Sequence, residues 1–70
     1  MSRPVKRSVR IAGHRTSLSV EPQFWDALAA IARRRRTSLA AIVAEVDSRR
    51  GDTNLSSAVR LYVLEETRNR

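Results

Sequence analysis

Arg15, Ser17 and Ser19 put three hydrogen-bonding side chains at a spacing of two in a chain of 70 residues. A guanidinium offers five donors in a fixed fork, and a serine hydroxyl both donates and accepts. On an extended strand, residues two apart share a face, so the three would act together on one polar surface. That chemistry is recognition rather than bond-making. Ser56-Ser57 falls in the first turn of a helix and has no base beside it. Glu65 and Glu66 are adjacent on a helix and point in different directions, which does not suit acid/base work. His14 is the single histidine and there is no cysteine, so no metal site is expected. No phosphate-binding glycine loop is present. Phe24, Trp25 and Tyr62 are too few for a base-stacking platform. We therefore expect no enzyme, no metal and no cofactor.

The charge points the same way. Fourteen Lys+Arg face seven Asp+Glu, a formal net charge of +7. Such a balance speaks about partners and not about fold. Nucleic acid, an anionic membrane surface and an acidic protein are the candidate classes. The charge is also uneven: Arg3, Lys6, Arg7, Arg10 and Arg15 precede the first acid, Glu21. No stretch approaches the roughly 20 apolar residues of a membrane span, and no apolar signal-peptide core opens the chain. We expect a cytoplasmic, nucleoid-associated protein with no membrane partner. A chain this short buries a small share of its surface. Without disulfides, oligomerisation is the expected support.

The elements that would position these residues follow from periodicity. Residues 1–7 read as a flexible basic arm, because Pro4 and scarce apolar residues argue against a packed element. Val9 and Ile11 share a face opposite Arg10. After Gly13, Leu18 and Val20, with Thr16, alternate with Arg15, Ser17 and Ser19, the pattern of a half-buried strand. Pro22 suits the first position of a helix, and Phe24, Trp25, Leu28, Ile31 and Ala32 carry helix A to about Arg35. Ser38, or Thr37 before it, caps helix B. Leu39, Ile42, Val43 and Val46 form its stripe, which ends at Arg49 before Gly51. Thr53 or Asn54 caps helix C, whose wide apolar surface (Leu55, Ala58, Val59, Leu61, Tyr62, Val63, Leu64) runs toward Thr67. The fold class is mainly α with one β-strand. A lone strand leaves unpaired backbone groups. A hairpin of Val9–Ala12 against Arg15–Leu18 around Gly13-His14 would satisfy them. Pairing with the same strand of a second copy would also do so, and it meets the expectation of oligomerisation, so it is preferred.

A strand with polar outward residues followed by two amphipathic helices resembles the ribbon-helix-helix repressors. Residues 15–28 resemble their strand and first helix, and Thr37-Ser38-Leu39-Ala40-Ala41-Ile42-Val43 the capped start of their second. The chain is similar to a short bacterial subfamily in the strings 8–17, 24–28 and 54–60. The resemblance implies an intertwined homodimer with an intermolecular two-stranded antiparallel ribbon. Residues 8–50 would be the DNA-binding domain, and 51–70 a C-terminal helix extension of it. The ribbon would enter the major groove of double-stranded DNA. Arg15 would contact guanine O6 and N7, with Ser17 and Ser19 as further base readers. Arg36, Thr37, Ser38, Leu39 and Ala40 would hold phosphate at a helix N-terminus. Lys6, Arg7 and Arg10 would add backbone attraction. Leu18, Val20, Phe24, Trp25, Leu28, Ile42, Val43 and Val46 would form the dimer core. The family often has glycine near Arg36, and this chain departs from it there. The implied function is a transcriptional repressor, dimeric or of higher order on DNA. An antitoxin-type protein with a toxin partner on helix C, a basic adaptor for an acidic protein, and a nonspecific architectural DNA binder are the alternatives.

Overall fold

The computed structural model describes residues 2–69. In chain order the elements are β1 (Val5–Ile11), β2 (His14–Val20), α1 (Pro22–Arg34), α2 (Leu39–Arg49) and α3 (Leu55–Arg68). The three helices lie within a residue or so of their sequence-based bounds. The strands do not, and the difference is the main finding of the fold.

β1 and β2 form an antiparallel hairpin, from Val5 opposite Val20 to Ile11 opposite His14. The turn is two residues long, Ala12 at φ +51° and Gly13 at φ +80°. Two positive φ values are what a type I′ turn requires, and its twist matches that of the flanking strands. The strand preferred as intermolecular therefore finds its partner in its own chain. Closing a two-residue turn costs far less chain entropy than recruiting a second molecule. The segment read as an arm is strand from Val5 onward, while Met1 lies outside the described residues. The periodicity marks Val9 and Ile11 but not the first half of β1, because Arg7 stands on their side of the strand, between Val5 and Val9, where an apolar residue would have continued the pattern. The Arg7 guanidinium lies over the Trp25 ring, 5.0 Å from its centroid. The indole Nε1–H donates to the Val5 carbonyl at 2.9 Å. Arg7 itself stays exposed, so its guanidinium covers the indole from the solvent side.

α2 packs on β1, α3 on β2, and α1 against both other helices. Among the described residues every buried one is apolar. Val9, Ile11, Leu18 and Val20 come from the hairpin, and Trp25, Leu28, Ile31 and Ala32 from α1. Ile42, Val43 and Val46 come from α2, and Ala58, Val59 and Val63 from α3. Phe24 is partly buried against this cluster. The side chains expected to form a dimer core therefore form the core of one chain. Helix C, the least explained element of the sequence, seals that core with one face.

The connections are locally determined. α1 ends in a Schellman motif: Thr37 N donates to Ala32 O at 2.9 Å and Arg36 N to Arg33 O at 3.1 Å. Its left-handed position is Arg36, at φ +56°, where glycine would be unstrained. Ser38 caps α2 by accepting from Ala41 N at 3.0 Å. Asn54 caps α3 by accepting from Ser57 N at 2.8 Å. Arg50 closes the turn between them, donating to Asp47 at 2.6 Å and to the Thr53 carbonyl at 2.8 Å.

Candidate nucleic-acid interface

Because the hairpin buries one face, its other face is fixed by alternation. From β1 it carries Lys6, Ser8 and Arg10; from β2 it carries Ser19, Ser17 and Arg15. The register sets Lys6 opposite Ser19, Ser8 opposite Ser17 and Arg10 opposite Arg15. The predicted reading trio Arg15, Ser17 and Ser19 thus shares a surface with Lys6 and Arg10, expected only to add backbone attraction. Arg7, expected beside them, is on the opposite face of the strand, exposed and over the Trp25 ring. Ser8 was missed. Its signal is its spacing, two residues before Arg10 and two after Lys6, which shows only once β1 is extended back through residues 5–7.

No carboxylate lies on this face, and among the described residues none of the ion pairs includes Lys6, Arg10 or Arg15. Directly opposite residues of an antiparallel pair hold their Cβ atoms about 5 Å apart, and like charges there are destabilising. Arg10 and Arg15 stand in that relation beside the turn with nothing in the chain to offset them. An anion laid across the ribbon would remove the repulsion.

The helical layer handles its arginines differently. Arg34 contacts Glu66 at 3.3 Å and Arg35 contacts Glu45 at 3.2 Å. Arg35 also donates to the Tyr62 hydroxyl. These two hydrogen bonds, to Glu45 first and to Tyr62 second, raise the Arg35 pKa further above its usual value. Arg60 grips Glu21 with two nitrogens, at 2.9 and 3.1 Å. That hydrogen bond is the largest cause holding the Glu21 carboxyl below its ordinary pKa. Of the basic run 33–36, then, two members are occupied by carboxylates, and Arg33 and Arg36 enter no ion pair among the described residues. Arg36 is exposed and stands next to Thr37 and Ser38. Ser38 Oγ is engaged with Ala41 N. The N–H groups of Leu39 and Ala40, in the first turn of α2, have no acceptor among the described residues, as expected at a helix N-terminus. The turn is a second surface, separate from the ribbon, with a positive dipole end and a nearby guanidinium.

His14, Asp26 and the other titratable groups gather no metal-binding cluster among the described residues, and no helix there is long and apolar enough to cross a membrane.

Residues 4–67 match the sequence model of a family described as the ribbon-helix-helix domain. The chain belongs to the ribbon-helix-helix family. The match covers both strands, α1, α2 and all but the last residue of α3. Ribbon-helix-helix proteins are DNA-binding, generally dimeric regulators on a non-enzymatic fold. No curated protein and no solved structure shows significant similarity to this one.

Proposed function

We propose that this ribbon-helix-helix protein is a sequence-specific DNA-binding regulator whose reading element is the open face of its own hairpin. The observation that carries the proposal is the uncompensated row of Lys6, Ser8, Arg10, Arg15, Ser17 and Ser19 on a two-stranded ribbon. Strands about 4.8 Å apart make a ribbon narrow enough for a major groove about 12 Å wide. Arg15 and Arg10 are the residues suited to bidentate contact with guanine. The serines, with one donor and two acceptors each, suit either edge of several bases. Lys6 supplies charge to phosphate. Arg36 and the first N–H groups of α2 hold the DNA backbone and fix the ribbon's approach, since phosphate contacts position and base contacts specify. Repression follows from occupancy: a protein seated on a promoter excludes polymerase. The intermolecular ribbon expected from the sequence is not required, because one chain supplies six groove-facing side chains.

The test is selection of genomic DNA fragments by purified protein near physiological salt, followed by sequencing. Two variants run in parallel, Arg15→Ala/Ser17→Ala/Ser19→Ala in β2 and Lys6→Ala/Ser8→Ala/Arg10→Ala in β1. The expected result is a short enriched motif with the native chain that both variants lose, leaving weak, salt-sensitive binding. Enrichment that survives the β1 variant would sink the single-chain ribbon. Equal recovery of all fragments by every protein would sink sequence reading altogether.

A further inference from the structure

Lys6, Ser8 and Arg10 face Ser19, Ser17 and Arg15 across the ribbon, rung by rung. A ribbon built from the same strand of two copies has a two-fold axis through its centre, and it presents the same side chains from either end. The hairpin has no such symmetry. A half-turn about its middle rung exchanges Ser8 with Ser17, but it carries Lys6 onto Arg15 and Arg10 onto Ser19. Both guanidiniums therefore stand at the turn end of the ribbon, with a lysine and a serine at the other. Beyond the arginines come only Ala12 and Gly13, whose side chains offer no hydrogen bond. At the far end Ser19 is half-buried, whereas Ser8, Arg10, Arg15 and Ser17 are exposed.

We propose that each chain reads a DNA element without two-fold symmetry, about five base pairs long, with two guanines under the turn and falling selectivity away from it. The element rests on the proposed reading of bases by the hairpin's open face, and adds to that reading a polarity and a length. The length follows from spacing. Residues two apart on a strand are separated by about 7 Å, and base pairs follow one another about every 3.4 Å. Successive rungs then meet base pairs about two steps apart, and three rungs span about five base pairs. The guanines follow from chemistry. A bidentate guanidinium occupies both O6 and N7 of one guanine, and a base pair holds at most one guanine. Arg10 and Arg15, facing each other on one rung, therefore need guanines in two neighbouring base pairs. This rung also holds two like charges with no carboxylate paired to them, so it gains most from guanine acceptors. At the middle rung two hydroxyls, each able to donate and accept, suit several bases. At the far rung Lys6 goes to phosphate and leaves Ser19 alone to read. The ribbon thus lies in the groove in one direction. Two chains on one duplex would each read a copy of the element, and every copy would keep its guanine end.

Selection from random-sequence DNA, with sequencing of the bound fraction, measures preference position by position. The native chain is expected to enrich two neighbouring guanine-bearing base pairs, followed on one side by about three positions of weaker preference. Arg10→Ala and Arg15→Ala should each lower guanine preference at least about fivefold, at neighbouring positions of that same end. Ser19→Arg, or Lys6→Arg at the exposed position opposite it, should add a guanine preference about four base pairs away, a gain that damage to the fold does not produce. A palindrome that Arg15→Ala relaxes at both ends and Arg10→Ala leaves intact overturns the proposal in favour of a shared ribbon. So does a motif in which the two arginine variants relax positions at opposite ends. A thermally native Ser19→Arg and Lys6→Arg that both keep the original motif and gain no guanine overturn the register of rungs on base pairs. Failure of the native chain to prefer any sequence is a different result: it removes base reading itself, and the element with it.

Discussion

The two faces of the β1–β2 hairpin alternate residue by residue along the same strands and have opposite physical characters. The inner face, Val9, Ile11, Leu18 and Val20, is almost wholly removed from water. Each methyl group there contributes to stability through burial. The outer face holds three basic side chains and three serines, and contributes little to stability. Where Arg10 faces Arg15 it works against the fold. A strand pair that carries an internally repulsive arrangement on one side tolerates it because the other side is anchored to three helices. The helical layer shows what the chain does with arginines that serve structure: Arg34, Arg35, Arg50 and Arg60 are each matched to a carboxylate. The ribbon's Arg10 and Arg15 are not.

Substitutions of neighbouring residues on opposite faces are the most direct way to break this contrast. Leu18→Ala should lower unfolding free energy by about 2–5 kcal/mol, the range for truncating a buried leucine. For a small domain that is a large part of the total. Ser17→Ala, one residue away, should change it by less than about 0.5 kcal/mol. Urea denaturation followed by Trp25 fluorescence measures both, and equal effects would mean that the faces are not distinct.

DNA affinity should reverse that ranking. Arg15→Ala and Arg10→Ala should each weaken binding to a selected site by roughly 1–3 kcal/mol, the value of a bidentate base contact. The thermal midpoint should stay constant or rise slightly as the repulsion between them is removed. Fluorescence anisotropy and calorimetry on the same samples give the two numbers, and a fall in both would count against recognition. Lys6→Ala tests the phosphate role assigned to it: the slope of log affinity against log salt should fall by about 0.9.

Arg36→Gly sharpens the comparison at the second surface. Glycine removes the strain of a left-handed arginine and should stabilise the chain by about 1 kcal/mol. It also deletes a cation, so binding to DNA should weaken even as the fold strengthens. A variant that is both more stable and equally tight would remove Arg36 from the proposed interface. The smallest effect is expected at the helical layer. The Glu21 carboxyl is held below its ordinary pKa of 4.5 by Arg60. A depressed carboxylate contributes stability that is present above 4.5 and is lost as pH falls through the lower, folded-state value. Arg60→Ala should therefore flatten the acid limb of a stability-against-pH curve while leaving neutral pH little changed, the usual outcome for a largely exposed pair.

The sequence by itself determined what depends on neighbours a few residues apart. Pro22 and the 3.6-residue stripes set the starts and faces of the helices. Ser38 and Asn54 cap their helices through hydrogen bonds three residues long, and Thr16–Val20 alternates plainly enough to place Arg15, Ser17 and Ser19 on one face. The clustering of acids after Glu21 was readable as well, and with it the cationic character of the first strands. Tertiary structure alone decided which strand pairs with β2, because a local pattern says that a strand needs a partner without saying where the partner is. It set the exposed Arg7 over Trp25 and off the groove-facing side, because only the fold puts an indole beneath it. It also divided a uniform basic run into paired Arg34 and Arg35 and unpaired Arg33 and Arg36, because Glu66, Glu45 and Tyr62 reach that turn from distant positions. The same long-range packing split the broad apolar surface of α3, burying Ala58, Val59 and Val63 and leaving Leu61 and Leu64 outside.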